Sequence, residues 1–268
     1  MERHGSLVCV GLGMMLGAHL TPRSRSHIEQ ADVVFAALSD PIVELWLQEM
    51  RPDMRSLQPC YAEGRSRRDT YAGMVAILLA AVRRGRRVCG VFYGHPGVFA
   101  LAPHQAIAEA RAEGFPAHME PGISAEDCLY ADLGIDPGTH GCQHYEASQF
   151  MFHVRRFDPS AYLVLWQVGI AGDRSLRRFD ASPAHQRLLV EILAGHYPPG
   201  HEVIVYEAAT LAFTTARMGR MPLSDLAEAT LHLHTTLVIP PVRPLQRDQA
   251  MLDRLAALDA ARTGLQPT

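Results

Sequence analysis

The sequence predicts an α/β protein made of two lobes. Three observations predict it. Short apolar runs, such as Leu7-Val8-Cys9-Val10 and residues 32–38, alternate with helical patterns in the first half. Runs that are apolar on both faces belong to parallel strands covered on both sides. The chain has 268 residues, long for one lobe, and its texture shifts toward strands after Gly134-Ile135-Asp136-Pro137.

The elements follow in order. Leu7 to Val10 is a buried strand running into the turn Gly11-Leu12-Gly13. Thr21-Pro22 starts a helix that runs to about Ala31, with the threonine as N-cap and the proline at the first helical position. Residues 32–38 form a second strand. Residues 41–50 read as helix, with Ile42, Leu45, Trp46 and Met50 as the apolar positions. Residues 57–68 are polar, contain Pro59 and Gly64, and read as a loop. From Asp69 to Arg84 the residues Tyr71, Met74, Val75, Leu78, Leu79 and Val82 recur at three and four, which predicts a helix with one buried face. Residues 88–93 form a third strand, running into Gly94-His95-Pro96-Gly97. A helix over 103–113 and a strand over 116–120 follow. Ser124, with Asp127 three residues on, predicts a capped helix start. In the second half, residues 143–147, 162–168, 201–206 and 231–239 read as strands. Residues 183–194 read as a helix burying Leu188, Leu189, Ile192 and Leu193. A domain boundary is placed at 116/117, a second lobe runs to 241, and residues 242–268 form a tail. Met251, Leu252, Leu255 and Leu258 give that tail an amphipathic docking helix.

Composition narrows the function. The net charge is −3, so no global basic surface points to nucleic acid. All 25 basic residues are arginine, which excludes a Schiff-base lysine and a P-loop. Cys9, Cys60, Cys89, Cys128 and Cys142 are odd in number and widely spaced, as expected of free thiols in a reducing cytoplasm. No signal-peptide pattern and no apolar run of roughly 20 residues appears, so a cytoplasmic protein with no membrane partner is expected. Histidines are numerous, but HExxH is absent. His232 and His234 sit two apart on an expected strand, and no metal is expected.

Four segments are candidates for chemistry. Gly11-Leu12-Gly13 departs from GxGxxG at Leu16, so this turn alone does not specify a dinucleotide site. Gly94-His95-Pro96-Gly97-Val98-Phe99 builds a rigid turn whose backbone can approach a ligand, with His95 and Phe99 projecting. Pro121-Gly122-Ile123-Ser124 opens a helix whose free N–H groups either bind a ligand or are simply capped. Tyr61, Arg67 and Tyr71 form a cationic and phenolic cluster, and Arg67 and Tyr71 share a face if both are helical. A guanidinium beside a phenol favours the phenolate, which makes Tyr71 a candidate base.

In order, the segments SLVCVGLG, YGHPGVF, PGISAEDCLYADLGIDP, YLVLWQVG and TTLVIPP resemble the tetrapyrrole methylase superfamily. The match spans residues 6–241. His95 stands where most of the superfamily has an aspartate, and this substitution, with FYGHPGVF and SAEDCLYADLGIDP, most resembles the borosin peptide backbone α-N-methyltransferases. The resemblance implies a two-domain, class III methyltransferase fold that binds S-adenosylmethionine and releases S-adenosylhomocysteine. It places that cofactor against Tyr93, His95, Val98, Ala125, Gln167, Ala208, Thr235 and Thr236, and catalysis on Tyr61, Arg67 and Tyr71. Gln58 stands where the family often has a further tyrosine. The resemblance also implies a homodimer. The residues after Pro241 lack a Val/Ile/Gly-rich core peptide, so a separate precursor peptide acting in trans is expected, with a heterotetramer of enzyme and precursor as the larger assembly. Alternatives are a corrin or porphyrin C-methyltransferase of the same fold and a silent scaffold.

Overall fold

The computed structural model describes residues 5–38, 40–61, 66–175, 177 and 182–263. In its first half, strands β1 (Ser6–Gly11), β2 (Val33–Ala37), β3 (Arg55–Ser56), β4 (Arg87–Phe92) and β5 (Ala117–Met119) alternate with helices α1 (Pro22–Gln30), α2 (Pro41–Met50), α3 (Arg67–Arg83) and α4 (Leu101–Ala112). The strands form one sheet in the order β3-β2-β4-β1-β5, and every pairing is parallel. Alternation along the strands splits the core in two. Leu7, Cys9, Val33 and Phe35 pack under Met74, Leu78 and Val82 of α3. Val8, Val10, Val34 and Ala36 pack with Ile28 of α1 and Leu47 of α2. This two-sided burial is why the strands read as unbroken apolar runs.

The second half holds helices α5 (Ala125–Leu133), α6 (Pro137–His140), α7 (Ala147–Phe152) and α8 (Pro183–Ala194), and strands β6 (Cys142–Glu146), β7 (Tyr162–Trp166), β8 (Glu202–Glu207), β9 (Arg217–Pro222) and β10 (Thr236–Ile239). Their sheet has the order β6-β7-β10-β8-β9, parallel only between β6 and β7. The strand Ala117–Met119 hydrogen-bonds to β1, so the first sheet takes residues from both sides of the 116/117 position. The backbone N–H of Leu16 donates to Thr210 O at 2.9 Å and ties the first glycine turn to the β8–β9 connection.

Capping at Thr21 and Ser124 matches the sequence expectations, and Asp40 adds a cap that was not among them. The Thr21 hydroxyl accepts from Ser24 N, and the Asp40 carboxylate caps α2 through Ile42 N at 2.8 Å. Ser124 and Asp127 make a complete capping box. Several expectations fail for local reasons. In α2 it is Leu47 that is buried, while Ile42 and Leu45 are exposed. Only Leu189 and Leu193 of the four expected α8 positions are buried, because the sheet covers a narrow stripe of that helix. The last strand begins at Thr236, so His232 and His234 lie in the turn before it. The final helix, α9 (Gln249–Thr263), exposes Met251, Leu252, Leu255 and Leu258. No helix among the described residues is long and apolar enough to cross a membrane.

Candidate active site

Helix α3 starts two residues earlier than its apolar pattern, because the Ser66 hydroxyl accepts from Asp69 N and caps it. Arg67 and Tyr71 are therefore both helical and share a face. Tyr61 ends the short 3-10 turn Gln58–Cys60 on the approach to that helix. These three side chains, with Gln58, Met74, Phe92, Tyr93, Phe99, Leu101, Gln167 and Leu233, line one cavity of about 510 Å³. Neighbouring it is a second cavity of about 680 Å³, between the Gly11-Leu12-Gly13 turn and the segment Glu207 to Thr210. Tyr93 lines both.

The first cavity has a distinct electrostatic build. The Tyr61 and Tyr71 hydroxyls are hydrogen-bonded to each other. Desolvation, with the neighbouring Tyr71, pushes Tyr61 up to about 12 against the pull of Arg67. Tyr61 is thus a proton donor throughout the neutral range. For this phenol burial outweighs the guanidinium, contrary to the simple expectation that an adjacent arginine favours the phenolate. The Arg67 side chain is only 15% exposed, and its Nη2 lies 4.0 Å from the buried carboxylate of Asp173. Asp173 is anchored in turn by Ser175 and by Arg177 N. Asp173 gave no signal in the sequence, since it lies about 100 residues from Arg67 in an unpatterned Gly-Asp segment.

Backbone strain converges on the same place. Among the described residues, Phe99 (φ 51°) and Gln167 (φ 57°) are the two non-glycine residues with positive φ, and both line this cavity. Side chains in left-handed backbone persist only where their surroundings over-determine them. Phe99 leans on Trp166 with ring centroids 5.4 Å apart. Trp166 is fixed by its indole N–H donating to His144 Nδ1 at 3.1 Å. His144 Nε2 then meets the Tyr130 hydroxyl at 2.8 Å, and that hydroxyl donates to Glu126. Burial holds His144 below the ordinary histidine range, consistent with a neutral ring whose Nδ1 accepts.

The expected cofactor residues divide. Tyr93, Gln167 and Ala208 line the cavities. His95 and Val98 belong to the same turn as Tyr93 but line neither cavity. The His95 Nδ1 accepts from Gly97 N at 2.9 Å, so the imidazole braces the turn. Gly11 and Gly122 fit against that turn because a Cβ at either would strike Gly94 O, at 2.1 and 2.6 Å. Ala125 opens α5 and lines neither cavity. Thr235 and Thr236 are buried and line neither cavity; the Thr235 hydroxyl donates to the carboxylate of Glu207, which lines the second. Gln58 lines the first cavity while its amide donates to Leu38 O.

Comparison with known proteins adds kinship to this geometry. The family model for tetrapyrrole (corrin/porphyrin) methylases matches residues 6–227. The chain is 38% identical over 263 residues to the methyltransferase/ribosomally synthesized cyclic peptide gymnopeptides precursor of Gymnopus fusipes, covering 97% of this chain and 63% of that protein. It is 37% identical over 271 residues to the methyltransferase/ribosomally synthesized type I borosin cyclic peptide precursor of Mycena rosella, covering 99% of this chain and 68% of that protein. The chain thus spans about two thirds of the length of these relatives, and 30% of a type III borosin precursor from Anomoporia bombycina. Among solved structures, the fold matches a uroporphyrin-III-C-methyltransferase from Thermus thermophilus with a TM-score of 0.63 at 22% identity, over 89% of this chain and 93% of that one. It also matches the cobalt precorrin-4 methyltransferase with a TM-score of 0.62 at 18% identity, over 88% of this chain and 95% of that one.

Proposed function

The chain belongs to the tetrapyrrole (corrin/porphyrin) methylase family, and on that premise we propose that it uses S-adenosylmethionine to methylate backbone amide nitrogens of a ribosomally made peptide supplied in trans. The observation that carries this reading is the convergence of Tyr61, Arg67 and Tyr71 on one cavity that shares Tyr93 with a second. The peptide class is supported by the borosin precursors among the relatives. Entry from outside is supported by the exposed rim of the first cavity, at Tyr61, Phe99 and Leu101.

The residues fit the cofactor. Both cavities fall within the roughly 300–1,000 Å³ typical of small-molecule sites. The second combines the apolar walls of Leu12, Val43 and Trp46 with the carboxylates of Asp40 and Glu207 and the guanidinium of Arg217, a lining suited to a ligand that carries an apolar body and charges of both signs. Tyr93 and Ala208 would hold it there, with Gln167 reached from the first cavity's side and Thr235 behind Glu207. When bound, S-adenosylmethionine supplies an electrophilic methyl group.

The chain must then make an amide nitrogen reactive. That nitrogen is a poor nucleophile because its lone pair is delocalised into the carbonyl. Tyr71 takes the amide proton as a phenolate, having first released its own hydroxyl proton to solvent, and its hydrogen bond with Tyr61 orients it. The Arg67 fork stabilises that phenolate before transfer and the negative charge that develops on the amide oxygen as the proton leaves. Asp173 keeps that fork aimed. The buried apolar side chains of Met74 and Phe92 on the cavity wall strengthen each of these interactions.

A homodimer, or a heterotetramer with the precursor, and a cytoplasmic location complete the reading. None of the five cysteines is in a disulfide, which supports a reducing compartment. The test is co-incubation of the protein with S-adenosylmethionine and a borosin-type precursor peptide, followed by mass spectrometry of the peptide. Stepwise increments of one methyl group on backbone nitrogens are expected. Methylation of a porphyrin precursor instead, or no methylation, overturns the reading.

A further inference from the structure

On the far side of the first sheet's edge, away from both cavities, a buried carboxylate meets two imidazoles. Glu120 directly follows the edge strand β5, and its backbone N–H donates to Cys9 O, continuing the β1 pairing. His118 and Glu120 are two apart, so they share one face of that strand. Helix α1 packs against β1 and brings His27 over the same face. The Glu120 Oε1 lies 3.1 Å from His118 Nε2 and 3.4 Å from His27 Nε2. The donor atoms of all three residues lie within 4.8 Å of one another. Bonds of about 2.0–2.1 Å in a tetrahedron separate ligand atoms by about 3.3 Å, so both measured separations suit one shared ion.

The carboxylate is set up to present one oxygen. Its side chain is 8% exposed, and Arg23 Nε holds the other oxygen, Oε2, at 2.8 Å. Ligating carboxylates commonly carry such an outer hydrogen bond, which fixes their orientation. A second trio, Glu207, His232 and His234, also gathers three donors among the described residues. There Arg217 and the Thr235 hydroxyl hold Oε1, and Oε2 faces His232 Nδ1 at 3.1 Å and His234 Nε2 at 3.4 Å, but both imidazoles are more than half exposed. In the first trio His27 and His118 are 31% and 48% exposed, so that trio is the better-enclosed donor set.

We propose that His27, His118 and Glu120 form a divalent-metal site of the zinc type, with water in the fourth position, that pins the end of β5 to α1. Two imidazoles and a carboxylate suit zinc in donor softness and geometry. Strand β5 has three residues and pairs on one side only, so such a pin would hold the segment leading to the Gly122 turn.

The test uses the untagged full chain, freed of metal by chelation and dialysis, titrated with zinc chloride by calorimetry and followed by thermal melting. One zinc per chain is expected, with a raised melting midpoint. In His118→Gln and in His27→Gln the affinity should fall by more than the roughly 10–100-fold that outer-shell changes cost. A His232→Gln/His234→Gln double variant should keep wild-type affinity. Cobalt(II) bound to the wild-type chain should show the intense visible bands of a tetrahedral site, a readout that needs no variant. Absence of zinc binding, binding unchanged in both single variants, loss of binding in the double variant, or an octahedral cobalt spectrum overturns the proposal.

Discussion

In the proposed mechanism one oxygen atom of Tyr71 decides whether the cavity does chemistry or only binds. Tyr71 shares the α3 face with Arg67 and is hydrogen-bonded to Tyr61. Replacing it by phenylalanine keeps the ring and removes the hydroxyl. Tyr71→Phe is expected to lower the methylation rate by about 10²–10⁴-fold, the range of a lost acid–base group. Binding of the cofactor, measured by calorimetry, should stay within about threefold of wild type. A variant that methylates at the normal rate removes Tyr71 from the proposed role. The sequence made the pairing of Arg67 with Tyr71 legible, because spacing of four on a helix is a geometric statement. It could not show Asp173 behind Arg67, since that contact joins segments far apart in the chain. Nor could it show the left-handed backbone of Gln167, which follows a run, Tyr162 to Trp166, that reads as ordinary strand.

Local signals served well wherever they were self-contained. Strands β1, β2 and β4 are buried on both faces, so their apolar runs are unambiguous. Thr21 and Ser124 cap their helices through bonds spanning three residues. Strand β9 went unread because its sequence, RMGRMP, alternates half-buried and exposed positions at a sheet edge without a β-branched residue. Helix α7 is six residues long, too short to display a period. The capping box of α5 yields a prediction at this scale. The Ser124 hydroxyl accepts from Asp127 N and donates to the Asp127 carboxylate at 2.7 Å, in a buried position. Ser124→Ala is expected to cost about 0.5–2 kcal/mol. In a chain of this size that is a fall of about 2–4 °C per kcal/mol, read by circular dichroism melting.

The whole molecule should be sensitive to alkali. Burial pushes Tyr93, Tyr197 and Cys89 up to about 12, and Cys128 up to about 11. Tyr61 moves the same way. In each case the fold favours the protonated, neutral form. The unfolded chain releases these protons first, near the ordinary thiol and phenol values of 9.0 and 10.0. The stability these groups contribute is therefore complete below about pH 9 and is lost as pH rises toward about 12. Thermal midpoints should be level from about pH 7 to 8.5 and fall steadily above about pH 9.5. A flat profile to pH 11 would contradict the burial described. Exposed apolar side chains bear on assembly at the same scale. Helix α9 offers Met251, Leu255 and Leu258 to solvent, and Val154 and Phe213 are more exposed still. Light scattering should return twice the 29.5 kDa mass of one chain. A monomer at micromolar concentration would remove the homodimer from the reading.

Tyr93 is shared by the walls of both chambers. A guest that swings this ring to make room on one side must narrow or widen the space on the other. Occupancy of the two chambers is then linked, and by thermodynamic reciprocity each guest alters the affinity of the other by the same factor. An order of loading thus need not be imposed by any moving lid: it can be written into the rotation of one aromatic side chain.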